Sequence, residues 1–339
     1  MPGIKPGDDR DMDPSVPPEL QAALDRLAQG KPRRELVQRA EKISHLFRSG
    51  AGSRDAIRDT DDALAYAFTR LPATHAAVAA ALAALSDSAP DFAPRSLIDA
   101  GAGPGTATWA AAEQFTTFAD VRLIDDNRHL RALALGLLDK STSAALRAAR
   151  YDAGDLVALA RGAAPADLVI ASYTIGELAP DALTRAADAL WSATADVLVV
   201  VEPGTPAGFA RIRALRAHLI AQGAHALAPC PHDRACPIVD PDWCHFTQRL
   251  PRSRDHRLVK GAALAFEDEK FSYVALARSR RPVMGARVLA HPRVGKAAVS
   301  AKLCTADGIV TATAQRRDKA RYRAQKSWRW GDAVAPAPE

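Results

Sequence analysis

An α/β fold around a doubly wound, mostly parallel sheet is what this sequence predicts, and three observations predict it. Between residues 96 and 203 short continuous apolar runs alternate with helical segments, as strands buried on both faces and joined by crossover helices should. A glycine-rich stretch, "DAGAGPGTAT", follows the first apolar run and opens a helix. After the last crossover helix, two more apolar runs close the pattern as an antiparallel pair.

The elements follow in order. "PPELQAALDRLAQG" and "KPRRELVQRAEKISHLFRSG" each carry Pro near the start and Gly at the end, the punctuation a helix prefers. "TDDALAYAFTRL" and "PATHAAVAAALAAL" predict two more helices, separated at Pro72 because proline has no N–H to donate within a helix. "RSLIDAG", "VRLIDD", "ADLVIASY" and "ADVLVVVEP" are strands, and "NRHLRALALGLLDK", "PDALTRAADALW" and "GFARIRALRAHLIAQG" are helices. "HRLVKGAALAFEDEKFSYVALAR" predicts strands near 259–266 and 271–278 around a polar turn, "EDEK". Residues 283–325 alternate Val, Leu and Thr with polar residues and read as a small β-rich appendage. The expected divisions are a disordered 1–16, a helical region 17–92, a sheet domain 93–280 with a cysteine-rich insertion at 228–256, a basic appendage 281–331 and a disordered tail 332–339.

Composition narrows the class. Hydrophobic residues are 48% and charged residues 25% of the 339, as in an ordinary globular protein. No run of about 18 uncharged apolar residues is present, so no membrane-spanning helix and no membrane partner are expected. "MPGIKPGDDRDMDP" has neither a signal peptide's apolar stretch nor the Arg-rich, acid-poor character of a mitochondrial transit peptide, so a cytoplasmic protein is expected. There, clustered cysteines read as metal ligands or catalysts rather than disulfides. The net charge is +6, but residues 281–330 hold twelve Lys/Arg against two Asp. A near-neutral body with a strongly basic end suits a polyanionic partner, above all nucleic acid. Tyr322, Trp328 and Trp330 lie among those charges, where bases could stack on them.

In the glycine loop, Gly101, Gly103 and Gly105 let a cofactor approach the backbone, and Asp99 precedes them. Pro104 lacks the N–H that a dinucleotide's pyrophosphate needs, so the loop fits S-adenosylmethionine better than NAD. Asp125, 24 residues after Gly101, can accept two ribose hydroxyls, with Asp126 the neighbouring candidate. Asp152 or Asp155 would lie near the adenine or cap a helix. With the closing antiparallel pair, the pattern is that of a class I S-adenosylmethionine methyltransferase-like Rossmann fold. The double-proline motif of exocyclic-amine methyltransferases is absent after the fourth strand. "ASYTIGEL" stands there, and only Tyr173 and Glu177 are candidate catalytic residues, Glu177 reading equally as a helix-start carboxylate. Pro229–Cys230 comes too late in the chain for a cytosine-C5 nucleophile.

Three of the four cysteines, Cys230, Cys236 and Cys244, fall in "CPHDRACPIVDPDWCHF" with spacing C-x5-C-x7-C, and Cys304 follows after 59 intervening residues. Without a CxxC pair this is no zinc ribbon. Spacing alone leaves zinc, with His232 or His245 as a further ligand, and an iron–sulfur cluster open. Radical S-adenosylmethionine chemistry needs an iron left open by only three cysteines, usually close-set as CxxxCxxC, whereas four cysteine ligands would close a cluster.

The block "CPHDRACPIVDPDWCHFTQRLPRSRDHRLVKGAALAFEDEKFSYVALAR", with "GAGPGTAT" and "LVVVEPGTP" before it, resembles the methyltransferase-like family that associates with the small ribosomal subunit. The resemblance runs from about residue 35 to 332. It implies an S-adenosylmethionine-type ligand and a [4Fe-4S] cluster on Cys230, Cys236, Cys244 and Cys304, the last in "KLCTADG". It also implies a maturation factor whose partner is a small-subunit precursor and its 16S rRNA, with methyl transfer itself uncertain in the family. Arg249, Arg252, Arg254, Lys260, Arg316, Arg317, Lys319, Arg321 and Arg323 would meet phosphates, and a monomeric, bacterial-type, cytoplasmic member is expected.

Overall fold

The computed structural model describes residues 15–49, 52–252, 257 and 263–335. The N-terminal helices are α1 (Pro18–Ala28), α2 (Arg33–Arg48), α3 (Ser53–Ala56) and α4 (Thr60–Ser88). The alternating part follows as β1 (Ser96–Ala100), α5 (Thr106–Gln114), β2 (Asp120–Asp125), α6 (Arg128–Leu138), α7 (Ala144–Arg147), β3 (Arg150–Ala153), α8 (Leu156–Arg161), β4 (Ala166–Ser172), α9 (Leu183–Ser192), β5 (Thr194–Pro203), α10 (Pro206–Ala221) and β6 (His225–Ala228). Then come β7 (Phe246–Pro251), β8 (Phe266–Ala277), β9 (Ala286–Val288), β10 (Arg293–Val294), β11 (Ala298–Thr305), β12 (Gly308–Gln315), α11 (Lys319–Ser327) and β13 (Ala333–Val334).

The main sheet runs β3-β2-β1-β4-β5-β8-β6. Strands β1 to β5 are parallel, and β8 is antiparallel to both β5 and β6. That order is the class I methyltransferase-like Rossmann arrangement, so the predicted fold class holds. Alternate residues of each strand feed opposite faces, as the period of two requires. Leu97, Leu123, Leu168 and Val199 join the core under α4, α5 and α6, whereas Ile98, Ile124, Val169 and Val200 join the core under α8, α9 and α10.

Four expectations are corrected. Pro72 does not divide two helices: it lies inside the 29-residue α4. Proline costs a helix interior about 3 kcal/mol, but α4 buries residues from Asp62 to Leu85 against α5, β7 and β8, and that packing outweighs the lost hydrogen bond. The same burial explains why α4, long and apolar enough to cross a membrane, reads as a core helix. "EDEK" is not a turn but part of β8. Two of its carboxylates are paired, Asp268 with Arg249 of β7 and Glu267 with Arg252 just beyond it, so charge pairing between the chain segments hides a strand in polar sequence. Of the other predicted strand, near 259–266, residues 259–262 lie outside the described residues, and Phe266 already belongs to β8. The true partner of the C-terminal half of β8 is the short β6, so the cysteine block sits between β6 and β7. Finally, 332–339 is not uniformly a tail, since Ala333 and Val334 pair with β9.

The appendage is a second sheet, β10-β11-β9-β13 with β12 on β11. Its core is small: Ala286, Val288, Ala301, Leu303, Ala312 and Val334, with Trp328 packed against it. The region read as wholly β-rich also carries α11, anchored by Gln325, whose buried Nε2 donates to the Ala312 carbonyl at 2.6 Å.

Candidate functional site

Two cavities hold the residues singled out by sequence. The first lies at the carboxyl ends of β1, β2 and β4, where the sheet's helices divide between its two faces and ligands of such folds bind. Gly101, Gly103, Asp125, Tyr173 and Glu177 all line it, with Ser53, Tyr66 and Thr174. The space, open mouth included, is about 510 Å³. Gly101 has φ +74°, and a Cβ there would lie 2.2 Å from Thr174 side-chain atoms, so only glycine serves. Asp125 accepts the Gly103 N–H at 3.0 Å and the Asn127 N–H at 2.8 Å, one on each oxygen. A carboxylate has about four acceptor positions, so two remain for a ligand. Burial pushes the Asp125 carboxyl above its ordinary value.

Asp99 and Gly105 do not line this cavity. Asp99 is fully buried behind the loop, where its Oδ2 accepts the Thr108 backbone N–H and hydroxyl and so fixes the start of α5. Desolvation raises it to about 7. Gly105 is the left-handed residue that caps α5. Asp126 pairs with Arg54 of α3 at 2.5 Å and does not line the cavity, whereas Asp125 does. Asp152 pairs with Arg122, and Asp155 caps α8, so the helix-cap reading holds for Asp155 and neither lines the cavity.

Tyr173 sits at φ +56°, a strained backbone for a non-glycine residue and one that clusters at functional sites. Its hydroxyl donates to Glu269 Oε1 at 2.8 Å. Glu177 Oε2 accepts the Ser53 N–H at 2.9 Å, so it is a helix-start carboxylate, but for α3 rather than for the helix that follows it in sequence. Glu202, which the sequence did not mark, supports this loop from below: its Oε1 accepts the Gly176 N–H at 3.3 Å. Burial raises Glu202 to about 7, against the pull of Arg211.

The second cavity lies where the cysteine block meets the appendage, and all four cysteines line it. Cys230 follows β6, Cys236 and Cys244 lie in the loop before β7, and Cys304 ends β11. Burial holds the Cys244 thiol well above its ordinary value and pushes Cys304 up to about 12. His232 faces the same space, its Nε2 4.0 Å from Cys304 Sγ. His245 does not; it stacks on Trp243 at 5.0 Å between ring centres. Among the described residues no three His, Cys, Asp or Glu side chains stand close enough to hold a single metal ion. Arg216 and Arg287, missed by sequence reasoning, also line the cavity. Arg216 had a signal: with Phe209, Ile212 and Leu219 it falls on the buried face of α10.

The appendage is tied to the body by more than Cys304. Lys302 pairs with Asp242, Arg287 donates to the carbonyls of Pro229 and Gly331, and Trp330 meets His245 edge-on at 4.9 Å. The aromatic expectation is therefore corrected. Trp330 and Trp328 are packing residues of the seam and the small core, because a half-buried indole gains more from apolar contact than from waiting in solvent. Of the basic candidates, Arg249 and Arg252 are engaged by carboxylates of β8, and Arg254 and Lys260 lie outside the described residues. Arg316, Arg317, Lys319 and Arg323 are exposed and Arg321 is half-buried. The Arg316 N–H donates to the Ala297 carbonyl and Tyr322 to that of Gly295, which brings Lys296 to the same end.

Comparison with known proteins follows from this geometry. A family model described as mitochondrial small ribosomal subunit Rsm22 matches residues 60–335. The human mitochondrial ribosome assembly protein METTL17 is 29% identical over 295 residues, covering 80% of this chain and 62% of its own length. The mitochondrial Rsm22-cox11 tandem protein 2 of Schizosaccharomyces pombe is 27% identical over 242 residues, 63% of this chain and 31% of that one. The chain thus spans less than two thirds of these relatives. Among solved structures, magnesium protoporphyrin IX methyltransferase (ChlM) from Synechocystis PCC 6803 with bound SAM is 12% identical, covering 79% of this chain and 100% of that one, at a TM-score of 0.41. The cytoplasmic expectation is corrected by these matches: the family description and these curated relatives are mitochondrial. It rested on N-terminal composition alone, and an address is read from a short segment independently of the folded body.

Proposed function

The chain belongs to the Rsm22 family, and from that membership we propose that it is a maturation factor of the small ribosomal subunit that binds rRNA of 16S type. Its Rossmann-like body holds S-adenosylmethionine, and a [4Fe-4S] cluster fastens the basic appendage to that body. The observation that carries this reading is the meeting of all four cysteines, from two parts of the chain, around one cavity at the seam.

The residues fit both groups. Gly103, at φ +53° with no atom closer than 3.8 Å to the place a Cβ would take, offers open backbone beside the free acceptor positions of Asp125. Asp125 would take the ribose hydroxyls, and Gly101 and Gly103 would border the ligand. At the seam, zinc would draw its sulfurs to about 2.3 Å from one centre. The four thiols that line one space there are also a full ligand set for a [4Fe-4S] core, and the family resemblance favours that group over zinc. Such a cluster supplies folding free energy by joining segments that the unfolded chain leaves apart. The exposed Arg316, Arg317, Lys319 and Arg323 then meet phosphates.

A second reading, an active rRNA methyltransferase with Tyr173 and Glu177 beside the transferred methyl, is favoured by the strained Tyr173 at the cavity. Against it, both side chains already hold structural partners. Mapping methylated nucleotides in small-subunit rRNA from a deletion strain decides. Immature subunits with unchanged methylation, rescued by wild type, support the maturation factor. A missing methyl group restored by wild type but not by Gly103→Val supports the enzyme.

A further inference from the structure

We propose that Arg216 and Arg287 are paired counter-cations for the thiolate-held group in the seam cavity, governing how firmly that group is retained and how readily it is reduced. The proposal rests on the iron–sulfur reading above. It starts, however, from an electrostatic observation on the protein's own side chains.

Both guanidinium groups are almost wholly withdrawn from water, Arg216 at 3% exposure and Arg287 at 5%. Arginine stays protonated in proteins, so burial cannot be relieved by losing a proton. Their partners are neutral. Arg216 Nη2 donates to the His232 carbonyl at 2.5 Å. Arg287 Nε donates to the Pro229 carbonyl at 2.7 Å and Nη1 to the Gly331 carbonyl at 2.8 Å. Arg216 Nε is buried with no partner. Among the described residues no carboxylate stands in ion-pair range of either, although arginines elsewhere in the fold find Asp or Glu. A buried charge without its opposite is strongly unfavourable.

The compensating charge must come from the space the two arginines share. Besides the two arginines, the ionisable groups that line it are the half-buried Arg213, which donates to the Ile238 carbonyl at 3.2 Å, His232, Tyr273 and the four thiols. Four neutral thiols would compensate nothing. Four thiolates around an oxidised [4Fe-4S] core form a dianion, which the two buried guanidinium groups match, while the half-buried Arg213 keeps contact with solvent that screens its charge. The two arginines come from different bodies, Arg216 from α10 and Arg287 from β9. The counter-charge therefore closes across the same seam as the ligands. One added electron would enter beside two fixed cations, so they favour the reduced form.

Anaerobically purified full-length wild type is compared with Arg216→Gln, Arg216→Lys, Arg287→Gln and Arg287→Lys. The readouts are iron and sulfide per chain, the rate of iron loss to a chelator, and the midpoint of a dithionite titration. The Gln variants keep a hydrogen-bond donor but no charge. They should lose iron several-fold faster and show a more negative midpoint. The Lys variants keep the charge and should remain near wild type. Gln variants with wild-type retention and midpoint overturn the proposal. So do Lys variants that fail as badly as Gln, because hydrogen bonding rather than charge would then be the cause. A wild-type chain without iron instead removes the iron–sulfur reading, and this proposal with it.

Discussion

Gly101→Ala tests the cofactor cavity most directly. At φ +74° an alanine bears the left-handed penalty, about 1–2 kcal/mol. Its Cβ would also lie 2.2 Å from Cγ2 and Oγ1 of Thr174 and 2.7 Å from its Cβ, which no real contact tolerates. Thr174 must move, and overpacking of this kind costs about 1–3 kcal/mol. The sum, about 2–5 kcal/mol, leaves most domains folded. Thr174 lines the same cavity, so its displacement should also weaken a ligand there. Urea unfolding reads the stability and calorimetric titration with S-adenosylhomocysteine reads the site. Thr174→Gly supplies the control. It removes the clash but not the backbone strain, so the double variant should recover the steric part and retain the strain. If the two substitutions simply add, the Gly101–Thr174 contact is not what makes glycine necessary, and the geometric account of the loop fails.

Cys304→Ser should lose nearly all iron. Because Lys302, Arg287 and Trp330 still bridge the seam, the appendage should stay folded, with hydrogen exchange rising first in β9 and β11 and only later in β1 to β5. Glu202 is raised from 4.5 to about 7 in the fold, so between those values the folded state holds a proton that the unfolded state has lost. Its contribution to stability therefore falls as pH rises through that window. Wild type should gain on Glu202→Gln by the order of 1–3 kcal/mol on going from pH 7.5 to 5, measured by urea midpoints, and a constant difference would refute the buried charge. Replacing Arg316, Arg317 and Lys319 together by Ala should make the salt dependence of rRNA binding shallower by about two to three in log–log slope, with folding unchanged; an unaltered slope removes this end of the appendage from the interface.

The sheet domain was legible because its strands are buried on both faces: "LVVV" and "LVIA" admit few other readings, and a glycine loop between strand and helix has little alternative use. The cysteine block was equally legible by composition, as three of the four thiols in 339 residues do not cluster by chance near two histidines and four prolines. The failures share one cause. Pro72 inside α4, the charged "EDEK" inside β8 and the tail residues in β13 each contradict local propensity, and partners distant in sequence override it. Composition along a chain can likewise mark Trp328 and Trp330 as available for bases, yet only packing shows that they hold the appendage in place.

The sequence by itself determined which groups this protein has: the loop glycines, the carboxylate that ends the second strand, four thiols and a basic end. The tertiary structure decided which of them meet. It put Asp125 at the loop cavity and Asp126 on Arg54, turned Asp99 inward onto Thr108, and drew Cys304 across some sixty positions to the other three cysteines. It alone revealed what burying Arg216 and Arg287 costs, because a charge acquires its cost only once water is excluded, and exclusion belongs to the assembled fold rather than to any stretch of chain.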